Sequence, residues 1–171
     1  MTIPIFSDSH GVGYKAKEVF ERLRKCGDVP RWAIFLGDGN SDIDEGIPTG
    51  CELLSVVGNC DPWTSVYDAE GNEIPDERVE FFGSVKVLMM HGHKYSVKSG
   101  NALAIKRARE VGADVLMFGH THLPVCLHIP ANEVYQKPLI VFNPGSLRQG
   151  SFGILTVVDK KPLLSHGKLG D

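Results

Sequence analysis

Phe118-Gly119-His120-Thr121-His122, at the end of the apolar run Val115-Leu116-Met117, is the stretch whose reading decides the fold. The run predicts a buried strand. If the chain stays extended beyond it, His120 and His122 project to the same side, because side chains alternate along a strand, with Cα atoms about 6.5–7 Å apart. That spacing suits two imidazoles on one metal ion, or one for each of two ions about 3.5–4 Å apart.

The same event recurs along the chain. Thr2-Ile3-Pro4-Ile5-Phe6 leads into Ser7-Asp8-Ser9-His10, and Trp32-Ala33-Ile34-Phe35-Leu36 leads into Gly37-Asp38-Gly39-Asn40. Leu53-Leu54-Ser55-Val56-Val57 ends in Gly58-Asn59-Cys60-Asp61, and the run over 85–90 ends in His91-Gly92-His93. Asp and Asn are ordinary turn and cap residues, and a lone His is most often a hydrogen-bonded loop residue. Five such coincidences at the same end of five strands point instead to one site built from Asp8, His10, Asp38, Asn59, His91, His120 and His122. Oxygen and imidazole donors without thiolate favour Mn, Fe, Zn, Co or Ni over a structural zinc. Two carboxylates and a bridging hydroxide against two divalent ions leave a charge of roughly +1, which attracts an anion such as a phosphate ester. In that reading the hydroxide bridging two metals is the nucleophile and both metals polarise the phosphoryl oxygens.

Around these strands, Ala16, Val19, Phe20 and Leu23 at i, i+3, i+4 and i+7 predict a helix over 14–26, stopped by Gly27. A second helix is predicted over 101–111. Gly83-Ser84 joins 79–82 to 85–90 as a two-residue hairpin turn. The stretch 41–50 reads as polar chain with one short helical turn, and 62–78 as a long surface loop. Shorter strands follow at 125–129, 139–142 and 152–158, with turn chemistry in Asn143-Pro144-Gly145-Ser146. Helices alternating with strands early, then strand upon strand, predict an α/β protein with mixed sheets, parallel at the core and antiparallel toward the edges. Polar groups at the carboxyl ends of such strands line the ligand crevice.

The 171 residues contain no repeat, low-complexity tract or linker, so a single domain over 1–171 is expected. Hydrophobic residues at 42% and charged residues at 23% are those of an ordinary globular protein. A formal charge of -3 without a long basic run argues against binding long nucleic acid. No apolar run approaches a membrane span, and Asp8 comes too soon for a signal peptide. Cys26, Cys51, Cys60 and Cys126 are scattered without a Cys-x-x-Cys, so reduced thiols and a cytoplasmic location are expected. Nothing in the sequence sets an oligomeric state.

Asp8-x-His10, Gly37-Asp38, Gly58-Asn59-x-Asp61, His91-Gly92-His93 and Gly119-His120-x-His122, in this order, resemble the calcineurin-like metallophosphoesterases. The small size and Asn143-Pro144-Gly145-Ser146 are similar to the small prokaryotic YfcE-like phosphodiesterases. The resemblance implies a sandwich of two mixed β-sheets flanked by helices and two divalent ions, manganese foremost. Asp8, His10, Asp38 and His122 would serve one ion; Asp38, Asn59, His91 and His120 would serve the other, with Asp38 shared. It implies a phosphodiesterase acting on a small phosphate ester. The alternative is a non-catalytic protein-interaction scaffold of the same fold, as in the retromer subunit, whose ligand positions are degraded where these are filled. A metallo-β-lactamase-type hydrolase would need His-x-His-x-Asp-His, and Lys94-Tyr95-Ser96 follow His93 instead.

Cys60 stands where many family members carry the His that assists the leaving group, and a thiol is a poorer general acid at neutral pH. It reads either as a catalytic substitute or as a small buried filler. His93 is a further candidate on the substrate side. Asp61 either shapes its turn or braces a neighbouring ligand, and Arg148 is a candidate phosphate contact. His128 and His166 read as structural or exposed. Ser9 and Ser146 lack an adjacent base, so no serine nucleophile is expected.

Overall fold

A strand that is apolar at nearly every position needs cover on both faces. The computed structural model, which describes residues 1–68 and 71–170, meets that need with a sandwich. The strands are β1 (Thr2–Phe6), β2 (Trp32–Phe35), β3 (Glu52–Ser55), β4 (Glu77–Phe82) and β5 (Val85–Met90). They continue as β6 (Val115–Phe118), β7 (Val125–Ile129), β8 (Leu139–Asn143), β9 (Ser151–Val158) and β10 (Lys161–Lys168). One sheet has the order β10-β9-β1-β2-β3 and the other β4-β5-β6-β8-β7. β1, β2 and β3 are mutually parallel, as are β5, β6 and β8. Antiparallel strands flank them, except that parallel β3 is itself an edge.

Alternation along these runs divides the apolar residues between two layers. Ile3, Ile5, Ile34 and Leu36 meet Val87, Met89, Val115 and Met117 between the sheets. The intervening Phe6, Ala33 and Phe35 pack beneath helix α1 (Ala16–Lys25) through Val19 and Phe20. Leu88, Met90, Leu116 and Phe118 pack beneath α2 (Ala102–Glu110) through Ala104 and Ala108. Each fully buried side chain of this size contributes about 1.5–3 kcal/mol. Such a core fixes the strand ends firmly.

Three expectations need correction. The first helix opens as a 3-10 turn, Gly13–Lys15, and becomes α-helical only at Ala16. The loop over 62–78 holds a 3-10 turn, Trp63–Ser65, and a lone bridge between Tyr67 and Glu73, and β4 begins within it at Glu77. Ala69 and Glu70 of that loop lie outside the described residues. β10 was not anticipated, because Lys161, Pro162, His166 and Gly167 weaken a strand pattern. It forms because Asp159 and Lys160, both at positive φ (49° and 64°), make a tight turn that pairs it with all of β9.

Candidate metal centre

Because β1, β2 and β3 run parallel, their carboxyl ends deliver Asp8 and His10, Asp38, and Asn59 to one edge of the first sheet. The parallel β5 and β6 deliver His91, His120 and His122 from the second. The structure brings all seven candidates together. It does not do so by extended chain, as supposed for His120 and His122. β6 stops at Phe118, and His120 and His122 lie at φ 64° and 62°. Asp8, His10 and Asp38 share that left-handed conformation at 53°, 44° and 61°. Asp and His adopt it more readily than most residues, and such departures cluster at functional sites.

Two clusters result. At one, His91 Nε2 stands 3.2 Å from Asn59 Oδ1, 3.2 Å from His120 Nδ1 and 3.3 Å from Asp38 Oδ2. His91 is fully buried, and its Nδ1–H donates to the Leu36 carbonyl at 2.7 Å, which leaves Nε2 facing the other acceptors. At the other, His10 Nε2 and His122 Nε2 are 3.3 Å apart, with Asp8 Oδ1 3.2 Å from His122 and 3.9 Å from His10. Asp38 Oδ2, 3.3 Å from His91, is also 4.0 Å from His10 Nε2, so one carboxylate oxygen faces both clusters.

Electrostatics agree with a site for cations. Burial opposes protonation of His91, but the Asp38 carboxylate outweighs it and holds that imidazole above its usual pKa. Burial likewise pushes His120 down, helped by the positive charge of His91, to about 4. Burial raises the Asp8 carboxyl. For Asp38 burial is overcome by His91 and the Cys60 N–H, which hold it well below the carboxylate range. Asp8 Oδ1 is buried and has no hydrogen-bond partner among the described residues. Converging lone pairs, one shared anionic oxygen and an orphaned carboxylate oxygen fit divalent metal ions in both clusters.

Residues 1–160 match the model of the calcineurin-like phosphoesterase superfamily domain. The chain belongs to that superfamily. Among curated relatives, a probable metallophosphoesterase, YsnB of Bacillus subtilis, is 31% identical over 163 residues, covering 92% of this chain and 85% of that one. Among solved structures, one described as a novel archaeal phosphodiesterase superposes with a TM-score of 0.70 at 22% identity, covering 99% of this chain and all of that one. The phosphoesterase YfcE of E. coli gives 0.58 at 21%, over 99% and 100% of the two chains. Wild-type Vps29 of Entamoeba histolytica, complexed with zinc, gives 0.67 at 18%, over 98% and 99%. The expected family and its two-sheet architecture are both borne out.

In this phosphoesterase fold the remaining candidates take definite places. Asp61 is a brace: its carboxylate accepts the backbone N–H groups of Asp38, Gly39, Asn40 and Gly58 at 2.7–3.0 Å, and Asn40 Nδ2 at 2.7 Å. Cys60 is exposed rather than a buried filler, and its thiol lies within 4.8 Å of donor atoms on His10 and Asp38. Burial and the Asp38 carboxylate raise its pKa. The His93 ring is 5.4 Å from His91 and 6.2 Å from His120, and burial together with His91 pushes its pKa down. Arg148 Nη1 reaches the His10 carbonyl at 3.4 Å, at the rim. His166 stacks on Phe142 and donates to the Asn143 carbonyl, while His128 is exposed beside Cys126; neither joins the site.

Other supports were not singled out from sequence. Ser7 Oγ donates to Asp8 Oδ2 at 2.5 Å, and the His120 N–H donates to the same oxygen at 3.1 Å. Asn143 Nδ2 donates to the Gly119 carbonyl and to Thr121 Oγ1, and Ser146 Oγ donates to the Asp8 carbonyl. Asn143-Pro144-Gly145-Ser146 was legible as a turn, but its polar side chains are what hold the His120 and Asp8 loops. Space is equally strict: a Cβ at Gly58 would overlap Asp38 Oδ1, and one at Gly119 would overlap Ser7 Oγ.

Proposed function

We propose that this phosphoesterase is a phosphodiesterase whose centre holds two divalent cations. One lies among Asp8, His10, Asp38 and His122 and the other among Asp38, Asn59, His91 and His120. The observation that carries this is Asp38 Oδ2, a single oxygen turned toward both clusters. Bound there, divalent cations supply Lewis acidity, polarising phosphoryl oxygens and acidifying water into a nucleophile at neutral pH. The chain's own part is to hold the donors. Asp61 fixes the Asp38 loop through its amide contacts, the Cys60 N–H pins Asp38 Oδ1 at 2.7 Å, and Leu36 orients His91.

Neither Cys60, with its raised pKa, nor His93, with its lowered one, is poised to protonate a leaving group at neutral pH. The reading therefore favours esters whose leaving group departs readily. Preference for diesters is supported by the sequence resemblance to the YfcE-like phosphodiesterases and by the archaeal phosphodiesterase of similar fold. Manganese is the first choice of metal, and a cytoplasmic, single-domain protein belongs to the same proposal, supported by four free cysteines. No helix among the described residues is long and apolar enough to cross a membrane.

The test strips the metal, restores Mn, Fe, Zn, Co or Ni singly, and measures diesters and monoesters spanning a range of leaving-group pKa. Activity should disappear with the metal, return with at least one ion, favour diesters and fall steeply as the leaving group becomes more basic. Undiminished turnover in stripped protein would sink the mechanism. Inactivity with every metal would favour the scaffold reading.

A further inference from the structure

Two recesses open beside the centre and meet at one ion pair. The first, about 420 Å³, is lined by Met90, Gly92 and His93 and ends at Lys94 and Asp76. The second, about 570 Å³, begins at the same Lys94 and Asp76 and ends at Trp63. Lys94 Nζ and Asp76 Oδ2 are 2.6 Å apart, so the ion pair forms the sill between them. The inner wall of the second recess is Asp61, the residue that braces the Asp38 loop. The inner end of the first is His93, 6.2 Å ring to ring from His120. Together they make a groove leading away from the centre, in the size range of small-molecule sites.

Its outer end is apolar. Val66, Ile74 and Pro75 form the floor, held by backbone bonds from Ile74 N–H to the Val66 carbonyl and from Val57 N–H to the Pro75 carbonyl. Trp63 stands at the rim with 90% of its surface exposed. An indole left that open, over an apolar floor and beside a phosphoesterase centre, offers a face for stacking. The charge of the lining restricts what can stack. Asp61, Glu73 and Asp76 face the recess against the ammonium of Lys94, which is already paired with Asp76. An arm carrying a further phosphate would be repelled, whereas a neutral aromatic arm would not.

We propose that this groove receives the uncharged aromatic arm that stays on phosphorus when the other ester leaves, the chemical class being a nucleoside joined through one phosphodiester, with Trp63 as the platform for its base. The inference rests on the phosphodiesterase reading, since it needs the phosphate at the Asp38 centre.

The test uses the manganese-loaded protein and two diesters that release the same p-nitrophenolate: methyl p-nitrophenyl phosphate and the p-nitrophenyl ester of thymidine 5′-phosphate. Trp63→Ala should raise KM for the thymidine ester by about tenfold, the order that stacking one base on one aromatic side chain contributes. KM for the methyl ester should stay unchanged, and Trp63→Phe should restore most of the loss. A 3′-phosphate on the thymidine ester should weaken binding to the wild type. Binding is also read without turnover. With Trp32→Phe, Trp63 is the sole indole of a two-tryptophan chain. Its emission in the manganese-loaded protein should be quenched saturably by the methyl ester of adenosine 5′-phosphate, whose alkoxide leaving groups depart slowly, and not by dimethyl phosphate. Equal KM changes for both diesters in Trp63→Ala, or quenching that never saturates, would overturn the groove while leaving the phosphodiesterase reading intact. Turnover of neither diester by wild type with any metal would instead overturn the phosphodiesterase reading.

Discussion

Asp38 is the residue on which the two clusters depend. Its Oδ1 is tied to the Cys60 N–H at 2.7 Å, which frees Oδ2 to face His10 and His91. Asn59, by contrast, offers one neutral amide oxygen to one cluster, 3.2 Å from His91. Asp38→Asn should therefore disturb loading of both ions, whereas Asn59→Ala should leave the ion on the Asp8 side in place. Metal counting by atomic emission on the two purified variants decides the matter, and a fully loaded Asp38→Asn protein would rule out the shared ligand. At this scale the candidate ligands were legible because their side-chain types suit metal chemistry and stand at the ends of apolar runs. Their backbone was not: five of the seven sit near φ 44–64°, where alternation along a strand says nothing. The bracing role of Asp61 was legible as one of two readings, and what decides for it is the fold, which lays the Asp38 and Gly58 amides against one carboxylate.

Among the elements, Glu77 joins three that are distant in sequence. The first residue of β4, it accepts from Arg107 of α2 at 2.5 and 2.9 Å and from Tyr95 Oη at 2.8 Å, at the end of the turn that carries His93. Arg107, assisted by Tyr95 and opposed by burial, holds the Glu77 carboxyl below its ordinary pKa. A depressed acid contributes stability that is complete above its unfolded pKa, about 4.3, and is lost as pH falls through the lower folded value. Glu77→Gln should therefore melt earlier than wild type at pH 7, with the gap closing below pH 4. Thermal melts of both proteins across that range provide the check, and a gap independent of pH would show that charge at position 77 is immaterial. The hairpin of β4 and β5 was legible in the Gly83-Ser84 turn. This clamp was not, because Glu77 fell inside the stretch read as loop and its partners lie 18 and 30 residues away.

Over the whole molecule, the centre is the seam of the sandwich. Asp8, His10, Asp38 and Asn59 come from the first sheet, and His91, His120 and His122 from the second. The packed layer between the sheets was foreseeable from strands apolar on both faces. That these strand ends would meet was expected from their shared chemistry; the sheet order that brings them together was not, because no single run encodes it. Cations held by both sheets would cross-link them, and a ligand that binds only the folded state stabilises it by about 2.7 kcal/mol at a hundredfold excess over Kd. For a chain of this size that is about 5–10 °C in Tm. The increment should depend on pH with a defined sign. In metal-free protein Asp8 and His91 both have raised pKa values, and both must surrender their protons to bind a cation. Metal affinity should therefore climb as pH rises through the raised His91 value and level off above it. Melting in chelator and in excess manganese should show a small difference at pH 6 and a larger one at pH 8. The stability that His91 gains from holding its own proton beside Asp38 runs the opposite way, being greatest at low pH and lost as pH rises. Chelated protein should thus weaken over the same interval in which loaded protein strengthens. Melting curves that coincide with and without manganese at pH 8 would mean that no ion bridges the two sheets.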